Sequence, residues 1–341
     1  MYNSQSSPVQ SIIIPTYNRK DMLAEAIDSV LKQSLKDIEV IVIDDCSTDG
    51  TSDFVKSIPD ERIRYFRNEN NSGLEYNRNV GFRHSRGKYI TFLDDDDYYT
   101  DYEFFEKAVK IHEEHEAAVD PLVMVYANAR LVDTQTGKSW LWDLGNPGHV
   151  RGLDFVLGRE NRKKAPSTFP AVFRAETLRR AGLENMVIFD TETYMQTALL
   201  GDAYLLPDVV GIYRHHKQSA SLGYKNHPAQ NQRISAKIKA MAERGVLIAE
   251  GIRVRSDKKI ADKWCKWDAY LLLHCYRGQQ SYINELRTHG RAMLIMSKFT
   301  PQILWRAPYW EAKRILRKIT PLRKIYRFIK YRLRGRPYPE D

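Results

Sequence analysis

Two apolar runs in this chain each end in a cluster of aspartates, and the clusters stand about fifty residues apart. The first is Val40-Ile41-Val42-Ile43-Asp44-Asp45. The second is Tyr89-Ile90-Thr91-Phe92-Leu93, followed by Asp94, Asp95, Asp96 and Asp97. Such runs read as strands buried on both faces, as in a parallel sheet. Four adjacent carboxylates repel one another, so a fold that gathers them needs positive charge among them. Mg²⁺ and Mn²⁺ prefer oxygen ligands. Open parallel sheets bind ligands at the carboxyl ends of their strands. The pattern predicts a metal and phosphate site at the mouth of an α/β domain.

The surrounding sequence fits that architecture. Ser11–Ile14, Ile38–Ile43, Ile63–Phe66, Tyr89–Leu93 and Leu122–Asn128 read as strands. Between them, Asp21–Gln33, a helix starting at Thr51, Gly73–His84 and Tyr102–His115 carry apolar residues at helical spacing. Alternation of this kind predicts a mostly parallel, doubly wound sheet. Further on, Phe169–Phe173, Tyr204–Leu206 and Val209–Tyr213 read as strands, the last two parted by Pro207-Asp208. Ala175–Ala181 and Thr191–Leu200 read as helices ended by Gly182 and Gly201. Beyond about Gly223 strand signals vanish. The expected division is therefore an α/β domain over residues 1–222 and a helical, basic region over 223–341.

Composition narrows the class. A 341-residue chain with 43% hydrophobic residues can bury a core, and a 28% charged fraction suits a soluble body. No stretch approaches the roughly 18–20 apolar residues of a membrane span. The polar, uncharged start, Met1 to Pro8, is wrong for a signal peptide. Three cysteines without metal-ligand spacing suggest reduced thiols in a cytosolic protein. The net charge of +10 is uneven: Lys298 to Arg336 holds thirteen basic residues against Glu311, so this stretch carries +12 and the remainder −2.

Five segments occur in order: Pro15-Thr16-Tyr17-Asn18-Arg19, Asp44-Asp45-Cys46-Ser47-Thr48-Asp49-Gly50-Thr51, Asn77-Arg78-Asn79-Val80-Gly81, Phe92 to Asp97, and Tyr213-Arg214-His215-His216 with Ser219 and Ser221. Together they resemble a family 2 glycosyltransferase of the GT-A, nucleotide-diphospho-sugar transferase fold, over about residues 9 to 222. The resemblance implies an inverting, metal-dependent transfer from a UDP- or dTDP-sugar to a saccharide hydroxyl. Asp94, Asp95 and Asp96 are similar to the family's Asp-x-Asp element. That makes Asp96 the direct Mn²⁺ or Mg²⁺ ligand and Asp94 its support, with Asp95 at the ribose. A cation bridging the diphosphate neutralises the charge that develops as it leaves.

The other segments supply the donor pocket. Pro15 ends strand pairing because it lacks an N–H, and Tyr17 can then lie against a nucleobase. The resemblance places Asp45 at the base. Asp44 orients the turn or meets the ribose, while Ser47, Thr48 and Asp49 are equally suited to capping the next helix. Arg78 is expected at the diphosphate or base pocket. By register with the family's acidic element, Asp190, eleven residues before Gly201, is the general base. Phe189 stands where an acid commonly precedes it, which leaves Glu192 as the rival base. His216 matches the family's histidine, as a metal ligand or diphosphate contact, with His215 as the alternative.

The basic tail has its own periodicity. Ile315, Ile319, Leu322, Tyr326, Ile329 and Leu333 form one helical stripe, and the other faces are nearly all Lys and Arg. A basic amphipathic helix reads as lying on an anionic membrane surface; packing on the catalytic body is the alternative. No nucleic-acid module is evident. The sequence thus predicts a cytoplasmic enzyme, peripheral on the inner face of the cell membrane, with a lipid-linked saccharide acceptor from surface polysaccharide synthesis. Two rivals share the residues. A sugar-phosphate nucleotidyltransferase would carry a Gly-rich loop where Pro15-Thr16-Tyr17-Asn18 stands. A non-catalytic membrane- or polyanion-binding protein on the same scaffold has no use for intact aspartates.

Overall fold

The computed structural model describes residues 7–116, 122–157, 167–181, 183, 190–198 and 200–217. The expected boundary near residue 222, the basic helices, Ser219 and Ser221 lie outside these residues. One sheet organises the fold, in the order β3-β2-β1-β4-β9-β6-β10-β5. Its first four strands are β1 (Gln10–Thr16), β2 (Ile38–Asp44), β3 (Ile63–Arg67) and β4 (Tyr89–Phe92). They pair in parallel, with Thr16 beside Asp44 and Ile13 beside both Ile41 and Phe92. Each side of this half is covered, which is why β1 and β2 are buried at every position and their centres, Ile12–Ile14 and Val40–Ile43, are apolar without alternation.

Two cores flank the sheet. Helices α1 (Lys20–Leu31), α2 (Thr51–Ser57) and α4 (Phe104–Glu114) contribute Leu23, Ile27, Val55, Phe104 and Phe105 to one. Helices α3 (Leu74–His84), α5 (Gly152–Leu157), α6 (Ala175–Arg180) and α7 (Asp190–Ala198) contribute Phe82, Phe155, Leu178 and Tyr194 to the other. The chain enters β2 on one side of β1 and β4 on the other. That reversal opens a crevice at the carboxyl ends of these strands, the usual ligand position in open α/β sheets.

Beyond β4 the sheet is mixed, where the sequence predicts a mostly parallel one. β9 (Ala171–Arg174) inserts antiparallel between β4 and β6 (Leu122–Asp133), and β6 pairs in parallel with β10 (Asp202–His215). The antiparallel additions are β5 (Tyr98–Tyr99), β7 (Ser139–Trp142) and β8 (Gly148–Val150). Short apolar runs do not reveal their pairing direction, because any direction buries the same side chains. The two strands expected around Pro207-Asp208 are one strand, β10. It absorbs the proline in an irregularity where the register on β6 jumps between Leu205 and Val209. Asn128 Nδ2 donates to the Pro207 carbonyl there, at 3.0 Å.

Helix α3 is set unusually close to β1. A Cβ on Gly81 would lie 2.3 Å from Ile13 Cγ2, and Ile13 is β-branched and buried in mid-sheet. This approach fixes the depth of the whole helix, including Asn77, Arg78 and Asn79. Alanine at position 81 gains about 1 kcal/mol in helix propensity but meets an overpacking cost of about 1–3 kcal/mol or more. Gly81→Ala is therefore expected to lower the melting temperature by several degrees in a thermal scan. A variant as stable as the parent would contradict the close approach.

Candidate active site

Two loops at the carboxyl edge of the parallel strands are locked together. Asn18, after β1, holds φ at 51°, and Cys46, after β2, holds it at 69°, both left-handed. Asn18 N–H donates to Ser47 Oγ at 2.9 Å, and Thr48 N–H donates to Asn18 Oδ1 at 2.7 Å. Asp49 accepts the backbone N–H groups of Lys20 (2.9 Å) and Thr51 (3.1 Å), so it caps α2 and ties it to the start of α1. Ser47, Thr48 and Asp49 are thus spent on local structure.

Asp44 and Asp45 organise this edge. Asp44 Oδ1 accepts Ser47 N–H at 2.8 Å, and its Oδ2 accepts the Tyr65 hydroxyl. Asp45 Oδ1 accepts Asn68 Nδ2 (2.9 Å) and Ser72 N–H (2.7 Å), while Oδ2 accepts Gly73 N–H (2.7 Å). Asn68 also donates to Asn77 Oδ1 at 2.7 Å, so Asp45 holds the loop that leads into α3. A carboxylate offers about four acceptor positions; Asp45 uses three within the protein and keeps capacity on Oδ2. Pro15 is buried, and Tyr17 beside it is 46% exposed.

The second acidic cluster is packed among arginines. Arg19 Nη1 lies 2.7 Å from Asp95 Oδ1 and 2.8 Å from Asp96 Oδ2. Thr16 Oγ1 donates to Asp95 Oδ2 at 2.7 Å. Asp95, expected at the ribose, therefore has both oxygens engaged inside the protein. His216 Nε2 sits 2.9 Å from Asp96 Oδ2. His215 instead points its Nδ1 to Asp133, at 4.0 Å. Of the two histidines, the structure brings His216 to the aspartates. Arg214 donates its backbone N–H to Asp97 Oδ1 at 2.9 Å, its Nε to the Asp96 carbonyl, and Nη1 to Glu25 at 2.9 Å.

Arg78 is 2% exposed and bridges two carboxylates: Nη2 to Asp94 Oδ1 at 2.7 Å and Nη1 to Asp190 Oδ1 at 2.8 Å. Burial alone would lower its affinity for its proton, but Asp190 and Asp94 hold its pKa above the ordinary arginine value. The neighbouring asparagines tie α3 to other segments, Asn77 through Asn68 and Asn79 through the Leu183 carbonyl at 2.7 Å. Asp190 opens α7, yet it accepts no hydrogen bond from that helix's own N–H groups among the described residues. Its carboxyl turns to Arg78 and Thr168. The side chain of Glu192 lies outside the described residues.

Electrostatics marks one place as short of positive charge. Asp94, Asp96 and Asp97 each bring one oxygen to within 4.8 Å of the others. Burial raises the Asp94 carboxyl pKa against the pull of Arg78, and Asp190 and Asp96 add to the rise. Burial also lifts Asp97 well above the usual carboxylate range, with Asp96 and Asp94 contributing. Asp97 Oδ2 is buried and has no hydrogen-bond partner among the described residues. Three carboxylates with an unsatisfied buried oxygen are the donor set of a hard divalent cation such as Mg²⁺ or Mn²⁺. The resemblance assigns no role to Asp97, Arg19, Arg214 or Thr168, although the first three lie within its motif segments and the repulsion in the Asp row itself calls for positive charge.

The raised pKa of Asp97 carries a stability sign. A carboxylate that binds its proton more tightly in the folded than in the unfolded state destabilises the fold at pH values above its unfolded pKa. Asp97→Asn removes this buried charge. It is expected to raise the metal-free melting temperature at pH 7 by a few degrees, with the difference shrinking as the pH falls toward 4. A lower melting temperature at pH 7 would show that the charge is better compensated than the geometry indicates.

Residues 11–173 match the family model described as "Glycosyl transferase family 2". A Campylobacter jejuni relative, GalNAc(5)-diNAcBac-PP-undecaprenol beta-1,3-glucosyltransferase, is 45% identical over 93 residues, 26% of this chain and 30% of the relative. An Escherichia coli relative, UDP-Glc:alpha-D-GlcNAc-diphosphoundecaprenol beta-1,3-glucosyltransferase WfaP, is 44% identical over 89 residues, 26% of this chain and 36% of the relative. The matched segments thus span about a third of these relatives. The crystal structure of S. aureus TarS 1-349 in complex with UDP-GlcNAc has the same fold, with a TM-score of 0.64 at 18% identity, over 97% of this chain and 93% of that one. With its doubly wound parallel half, its Asp row at the strand ends and this match, the chain carries a family 2 glycosyltransferase domain of GT-A fold over residues 11–173.

Proposed function

We propose that the protein is a metal-dependent inverting glycosyltransferase, moving a sugar from a UDP- or dTDP-sugar to a hydroxyl of a lipid-linked saccharide in bacterial surface polysaccharide synthesis. The observation that carries this reading is the junction at Arg78. One buried guanidinium joins an aspartate of the acidic row to Asp190, a carboxyl 32% exposed in the same crevice. The names of two relatives support the acceptor class, because both refer to glucosyl transfer onto undecaprenyl-diphosphate-linked saccharides. One of those names specifies UDP-Glc, which supports the donor class.

In this reading Tyr17 stacks on the nucleobase, and Asp45 presents the ordered loop edge and its remaining lone pair to the base N–H. Asp94, Asp96 and Asp97 would hold the divalent cation, with His216 placed to orient Asp96. When bound, the cation supplies charge neutralisation for the departing diphosphate. Arg19 offers a further positive group beside the same carboxylates, fit for phosphate oxygens. Asp190 accepts the proton of the acceptor hydroxyl as that oxygen bonds to the anomeric carbon. The bond from that carbon to the diphosphate breaks on the opposite face, its electron pair leaves with the diphosphate, and the configuration inverts. Arg78 holds Asp190 in place for this step.

The domain division at residue 222, the peripheral membrane position and the role of the basic tail extend the proposal. No helix among the described residues is long and apolar enough to cross a membrane. A polycationic amphipathic segment would bring the crevice to lipid-linked acceptors.

The test is donor binding and turnover over a panel of UDP- and dTDP-sugars with Mn²⁺. Asp190→Asn is expected to bind the donor as the parent does and to lose turnover by about 10²–10⁴-fold, the usual contribution of a general base. Asp96→Asn is expected to abolish the Mn²⁺ dependence of donor binding. Full turnover in Asp190→Asn, or metal dependence that survives Asp96→Asn, would contradict the assignment.

A further inference from the structure

Asp190 Oδ1 is the meeting point of three donors. Arg78 Nη1 lies at 2.8 Å, Thr168 Oγ1 at 3.0 Å and Thr168 N–H at 3.2 Å. Oδ2 receives no hydrogen bond among the described residues. The two oxygens of one carboxylate are thus treated unequally, one saturated and the other without a donor among the described residues, in a side chain that is 32% exposed.

Thr168 is well placed to impose this. It is 1% exposed and belongs to a segment held at several points. Phe169 N–H donates to Ser167 Oγ at 2.9 Å, Tyr126 OH donates to the Ser167 carbonyl at 3.1 Å, and Ala127 N–H donates to the Pro170 carbonyl at 3.2 Å. The Tyr126 ring also meets Tyr194 of α7 edge-on, with centroids 6.2 Å apart and planes at 89°. Tyr194 is one turn along the helix that begins with Asp190. One buried tyrosine therefore braces both the segment that carries the clamp and the helix that carries the carboxylate.

We infer that Thr168 is a positioning residue for the transfer reaction: it pins Oδ1 of Asp190 through its hydroxyl and backbone N–H, so that Oδ2 alone receives the acceptor proton. The inference rests on the reading of Asp190 as the base. A general base acts only when one lone pair lies along the proton's path, and fixing a carboxylate's rotation beforehand removes that ordering from the barrier. Arg78 contributes to the same clamp but also holds Asp94, so its removal disturbs the acidic row as well. Among the described residues the hydrogen bonds of Thr168 go to Asp190, which makes it the cleaner probe.

The experiment follows UDP release from UDP-glucose with Mn²⁺ and water as acceptor, alongside calorimetric UDP affinity and thermal melting. The variants are Thr168→Val, which keeps shape and N–H but loses the hydroxyl, Thr168→Ser, which keeps the hydroxyl, and Asp190→Asn. Thr168→Val is expected to lose about tenfold in kcat, with KM, UDP affinity and melting temperature close to the parent, and Thr168→Ser to recover most of the loss. If Thr168→Val turns over at the parent rate while Asp190→Asn is inactive, the clamp is overturned and the base assignment stands. If Thr168→Val and Thr168→Ser lose kcat only in step with melting temperature, Thr168 is structural and the inference is equally overturned. Full turnover in Asp190→Asn would instead remove the base assignment on which the inference rests.

Discussion

The compensation of buried carboxylates by arginines from distant parts of the chain is the interaction on which the rest depends. Asp94, Asp95, Asp96 and Asp97 follow one strand, and Asp190 joins them from α7. Against them stand the guanidinium groups of Arg19 at the start of α1 and Arg78 in α3, while Arg214 in β10 gives its backbone N–H to Asp97 and its Nε to the Asp96 carbonyl. Each guanidinium draws a different element to the same edge of the sheet. Removing one partner of such a buried pair leaves the other uncompensated, which costs far more than the pair contributes as a whole. The arrangement therefore specifies geometry more than it adds stability. It also stops short of neutrality around Asp97, where a cation with oxygen affinity would complete it.

The side of the crevice formed by the ends of β1 and β2 depends on hydrogen bonds rather than charge pairs. Asn18 and Ser47 interlock two loops, and Asp44 and Asp45 gather the loops that follow β2 and β3. These aspartates act on backbone N–H groups, where a carboxylate is a stronger acceptor than a neutral oxygen. A preformed edge of this kind loses little freedom when a ligand settles on it. Tyr17 then stands out as the exposed aromatic beside an otherwise inward-facing set of side chains.

Much of this was legible in the sequence. The apolar run Val40–Ile43 and the run Tyr89–Leu93, broken by Thr91 alone, identify buried parallel strands, because two-sided burial removes alternation. The Asp rows locate the functional edge. Pairing direction beyond β4 was not legible, since β9 would bury Val172 and Phe173 in either orientation. Pro207 reads as a strand break, yet the structure passes it through an irregularity in β10. Arg78 reads as a ligand-binding group because local sequence cannot show Asp190, 112 residues away, as its partner. The contact of Thr168 with Asp190 spans 22 residues of sequence and forms where the 167–170 segment meets α7, which no local pattern shows.

The most direct test of the account is the position of the cation. Crystals soaked with Mn²⁺ and UDP, with diffraction recorded at the manganese absorption edge, would locate the ion without reference to activity. The account predicts an anomalous peak in contact with Asp96 and at least one of Asp94 and Asp97, with the diphosphate on its open side. A peak elsewhere, or ordered UDP with no manganese at these carboxylates, would contradict it.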